Sequence, residues 1–199
     1  MGSEDLSLFE TVETVLTSSI ENLARFREEP KTRLARESIE LFDLLGKMRQ
    51  RSDRVSELIR RCETAETTEG KVYFVFEAGK VLQILGELCG QLLYWSLREE
   101  RTIQLSKLLA PEIRQRVHRI IYYESMDAEE AAGYPVPSDI EKCRESLEAV
   151  AHPDPRRLPN PERLRQARER FQSLAASCAG FQAGIRDFAR DALTVDDFF

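Results

Sequence analysis

Apolar residues recur three and four positions apart along most of this chain, the repeat that gathers them on one side of an α-helix. The first such run is Phe9, Val12, Leu16, Ile20, Leu23 and Phe26. Ser3 is placed to cap it, Glu4 and Asp5 favour the positive end of the helix dipole, and Pro30 closes it. After Pro30 a second run reads Leu34, Ser38, Leu41, Leu45, Met48, Ser52, Val55, Ile59 and Cys62. Its steps alternate between four and three, the seam of a coiled coil. The serines weaken that seam, and Ser52-Asp53 marks a place where the helix could break. The polar stretch TAETTEG from Thr64 to Gly70 predicts a turn, with Thr68 capping the next helix.

That next helix, Val72–Leu97, is apolar on nearly every side. A helix without a polar face belongs inside a bundle, so this segment is expected to form the centre around which the others pack. Gly79, Gly86 and Gly90 share one face of it and are expected to admit a neighbouring backbone. The helix either continues to Leu109 or restarts at Ser96, where Ser96-Leu97-Arg98-Glu99 has capping-box spacing. Pro111 suits a helix first turn, followed by the apolar positions Ile113, Val117, Ile120 and Ile121.

Residues 124–137 are expected to form an acidic loop, with Gly133, Pro135 and Pro137 as its signature. Ser138 and Glu141 then cap a short helix carrying Ile140, Leu147 and Val150. Four prolines in the segment from His152 through Pro161 are expected to stiffen the connector to the last helix, which Asn160 caps. There Leu164, Ala167, Phe171, Leu174, Cys178, Phe181, Ile185, Phe188 and Ala192 keep the most regular stripe in the chain. A stripe this narrow needs one principal partner, and helix two has the matching period. A copy of the same stripe in a homodimer is the alternative mate. The acidic-aromatic tail ending in Phe198 and Phe199 either packs back on the bundle or serves as a docking peptide.

Together these patterns predict an all-α protein, a bundle of five to seven mostly long antiparallel helices around the central apolar helix. One domain is expected over residues 1–199, with the connector 152–161 as the place for any sub-boundary. Only nine glycines in 199 residues agree with a fold poor in tight turns.

Composition narrows the partners. A net charge of −6 disfavours a general nucleic-acid binder, whose affinity rests on neutralising phosphates. Lys80 and Glu87 interrupt the apolar run well short of the ~20 residues a membrane span requires. The acidic opening lacks the apolar core of a secretory signal, so a soluble, cytoplasmic protein is expected. The four cysteines, Cys62, Cys89, Cys143 and Cys178, lie far apart on or near apolar faces and contain no C-x-x-C. They predict buried free thiols rather than disulfides or a zinc site.

Candidate chemistry is sparse. Neither histidine has a glutamate three residues before it, which excludes a di-iron bundle, and no phosphate loop or nucleophile elbow occurs. No metal or cofactor is expected. Arg114 and His118 could serve a helical nuclease, although their Arg-x3-His spacing is shorter than the motif of the HEPN class. Trp95, Tyr94 and the Tyr122-Tyr123 pair could line an apolar pocket for a small molecule.

The reading that remains is a non-enzymatic protein–protein interaction or adaptor domain. The nuclease and the apolar pocket near Trp95 stand as alternatives. Its partner-binding candidates are the basic strip of helix two, Arg51, Arg54 and Arg61, and the tail residues Phe198 and Phe199. The expected partner is another protein, with a homodimer as one form of it.

Overall fold

The computed structural model describes residues 7–22, 31–97, 111–121 and 161–198. They form five α-helices: α1 (Ser7–Asn22), α2 (Lys31–Thr64), α3 (Thr68–Leu97), α4 (Pro111–Ile121) and α5 (Pro161–Ala192). A terminal 3-10 turn, Val195–Phe198, follows. The described residues contain no β-strand, so the described part of the chain is all-α. The predicted helix over 138–150 and the connector 152–161 lie outside them.

The seam of α2 is buried at every predicted position from Leu34 to Cys62, both serines included. Ser52 does not break the helix. Its hydroxyl donates to the Met48 carbonyl at 3.0 Å, which satisfies the polar atom inside the helix itself. Ser56 uses the same device toward Ser52 and also reaches the Arg168 carbonyl of α5 at 3.5 Å. A small residue at this position lets the two helices approach.

The principal mate of α5 is α2, and the pair runs antiparallel. Arg168 near the start of α5 meets Glu63 near the end of α2, while Gln182 donates to the Phe42 carbonyl at 2.9 Å farther along. Every predicted stripe position of α5 is buried except Ala167 and Ala192, which are half-buried. Of the three phenylalanines in the stripe, Phe181 is the one that is wholly buried. The 3-10 turn continues the contact along α2.

α2 also packs lengthwise against α3, as an antiparallel hairpin with a tight turn. The cap of α3 is Thr67 rather than Thr68: its hydroxyl accepts the Gly70 amide at 3.1 Å. α1 runs parallel to α5, with the Phe9 and Phe171 rings edge to face at 5.3 Å. Farther along, Ile20 approaches Gly180. One apolar cluster joins all five helices.

The packing differs from the expected arrangement around Val72–Leu97. α2 is the helix that lies between two long neighbours, α3 and α5. α3 buries one stripe, Val75, Ala78, Leu82, Leu85, Cys89, Leu92 and Ser96 with flanking residues. Tyr73, Phe76, Ile84 and Tyr94 remain exposed on its outer side. No atom stands within 4 Å of where a Cβ on Gly86 would be, so no backbone is admitted there.

Candidate functional site

The outer side of α3 is the largest departure from ordinary surface chemistry among the described residues. Tyr73 is 58% exposed, Tyr94 42%, Phe76 41% and Ile84 40%, all on one helix. They arise because the inward stripe of α3 already satisfies its neighbours, leaving the remaining apolar residues facing outward. Lys80 sits among them, with its ammonium 2.7 Å from Glu77 and 4.4 Å above the Phe76 ring. That placement screens part of the apolar surface without covering it. At the start of the helix, Thr68, Glu69, Val72, Tyr73 and Phe76 line a shallow open depression of about 490 Å³.

The basic strip of α2 is largely engaged within its own helix. Glu57 pairs with Arg60 at 2.7 Å and with Arg61 at 2.8 Å. The hydrogen bonds from those two guanidinium groups hold its carboxyl far below the usual range, at about 2. Lys47 pairs with Asp43, and Arg49 lies 3.9 Å from Asp53. Arg51 and Arg54 make no such pair; Arg54 is exposed and Arg51 half-buried. The predicted strip therefore divides: Arg61 is tied to Glu57, and Arg51 and Arg54 are not.

At the tail, Asp197 accepts from the Thr194 amide at 2.7 Å and from its hydroxyl at 2.8 Å. These bonds lower the Asp197 carboxyl below its ordinary value. The backbone through Phe198 thus folds back on α2; the Phe198 side chain and Phe199 lie outside the described residues.

Glu10 of α1 links two other helices, lying 2.9 Å from Arg170 of α5 and 3.8 Å from Arg116 of α4. Arg116 is thereby directed toward a structural carboxylate. Arg114 is exposed on the same helix and engaged in an interaction of its own. The His118 side chain lies outside the described residues, so the nuclease pair is not assembled among them. Trp95 is buried, 7% exposed, in the common apolar cluster. The depression on α3 lies about 35 Å from it along the helix axis.

Cys62, Cys89 and Cys178 are buried free thiols. Burial pushes Cys178 up to about 12 and raises Cys62 in the same direction. A thiol held protonated is a poor nucleophile and a poor metal ligand. Cys143 lies outside the described residues. Among the described residues no group of three His, Cys, Asp or Glu side chains could hold a metal ion. No described helix is long and apolar enough to cross a membrane.

No protein-family model, curated protein or solved structure matches this chain. The outer face of α3 was missed in sequence because an apolar residue looks the same whether it faces core or partner. The signal that could have revealed it is the pair of tyrosines, whose hydroxyls suit a surface that is wet before binding.

Proposed function

We propose that this chain is a non-enzymatic protein-interaction domain that docks a partner on the outer face of α3. The observation that carries this reading is the exposed set Tyr73, Phe76, Ile84 and Tyr94 on one rigid helix. Aromatic residues in such a setting suit the anchor role, since they bring large contact area with few rotatable bonds to fix. The hairpin with α2 holds the helix in place, so docking on it need not order a loop first. Arg51 and Arg54 supply a second contact for acidic groups of a partner, because no carboxylate among the described residues pairs with them. The tail aromatics Phe198 and Phe199 are a third candidate contact.

The test is a paired Tyr73→Ser and Phe76→Ser variant. Both side chains are exposed, so its melting temperature should match the parent. Chemical cross-linking in cells, followed by mass spectrometry, should lose the parent's cross-linked partners. Unchanged cross-linking by a folded variant would remove this face as the docking surface.

A further inference from the structure

The outer face of α3 has an internal symmetry. Tyr73, Lys80, Glu87 and Tyr94 stand seven residues apart, and all four are exposed. Seven residues are two helical turns, so they form one line along the helix. The order along that line is aromatic, cation, anion, aromatic. Reversing its direction returns the aromatics to the aromatics and exchanges the two charges. The centre of the pattern is the Gln83–Ile84 bond, with Lys80 and Glu87 three residues either side of it. Tyr73 and Tyr94 lie ten residues either side.

We infer that the occupant of this face is a second copy of the chain, its α3 laid antiparallel across the first about a two-fold axis at that centre. The inference rests on the reading of α3 as a docking face and names its partner. In an isologous pair each contact occurs twice. Lys80 faces Glu87 of the second copy, Glu87 faces its Lys80, and each Tyr73 faces a Tyr94. The incoming Tyr94 arrives beside the depression at the start of α3, where Phe76 gives its ring an apolar wall. Ile84 packs near its own image on the axis. A parallel pairing would set Lys80 against Lys80 and Glu87 against Glu87, so the charges choose the antiparallel one. Contact over the whole line spans roughly 30 Å of helix and requires a shallow crossing, near 20°. The stripe of α5 cannot serve this purpose, because α2 already covers it.

Sedimentation equilibrium of the full chain tests this with charge exchanges. The parent should rise with concentration from 22.9 kDa toward twice that mass. Lys80→Glu alone and Glu87→Lys alone should each weaken the dimer by about ten-fold, since two opposed pairs become two like-charged pairs. Lys80→Glu combined with Glu87→Lys should restore it. All variants should melt like the parent. A parent that stays at 22.9 kDa at every concentration overturns the inference, as does a combined variant no better than the single ones. Should the parent be monomeric while the Tyr73 and Phe76 variant still loses its cross-links, only the second-copy assignment falls. The docking reading would then stand with a different protein as occupant.

Discussion

Arg168 on α5 donates to the carboxylate of Glu63 on α2, joining residues 105 positions apart. Both side chains are about three-quarters buried, at 27% and 23% exposure. Water screens this pair less than it screens the i,i+3 and i,i+4 pairs along the helix surfaces. The contact fixes the antiparallel register of α2 and α5 at one end, and Gln182 on the Phe42 carbonyl fixes it farther along. Arg168→Ala should therefore destabilise the fold by about 1–2 kcal/mol, between surface and buried pairs. In thermal melts that is a fall of roughly 2–4 °C for each kcal/mol. Adding Glu63→Gln should cost little more, because the interaction is already gone. Fully additive losses would show that the two residues act separately.

At Gly86 a methyl group should help. Nothing stands within 4 Å of its missing Cβ, and glycine inside a helix is unfavourable relative to alanine by about 0.5–1 kcal/mol. Gly86→Ala should raise the melting temperature by a few degrees. A lower one would mean that a neighbouring backbone needs the space.

Much of the fold was legible where one helix face has one task. The α5 stripe from Leu164 to Phe188 is core almost position for position, and Pro111 and Pro161 begin helices as their fixed backbone angle favours. Legibility failed on α3, where two faces are apolar for two different reasons. The stripe through Leu85 and Cys89 is buried in the bundle, whereas Tyr73 and Tyr94 are exposed, and hydrophobicity alone cannot separate them. The centre was misassigned on the same ground. α2 has many charged residues, yet Ala35, Ser56 and Leu58 widen its buried face beyond the stripe, enough for two long neighbours. For the candidate site, the sequence places basic residues along α2 but could not show that Glu57 would bind Arg60 and Arg61 together.

The three described thiols should be inert in the native state. In a Cys143→Ser background, a maleimide at mildly alkaline pH should label the native protein far more slowly than the denatured one. Cys178 should be among the slowest, since burial both blocks access and holds its thiol up to about 12. Rapid native labelling of Cys178 would place it at the surface rather than between helices.

The docking face proposed for this chain depends on the outer side of α3 being surface rather than core. Hydroxyl-radical footprinting of the dilute full chain measures that directly. Tyr73, Phe76 and Tyr94 should be oxidised readily, Tyr73 fastest in keeping with its 58% exposure. Trp95, the next residue after Tyr94, and Phe181 should stay unmodified until the protein unfolds, because both are buried. Tyr73, Phe76 and Tyr94 protected to the level of Trp95 in the dilute protein would contradict the reading. The chain would then cover this face itself, leaving no place on it for a partner.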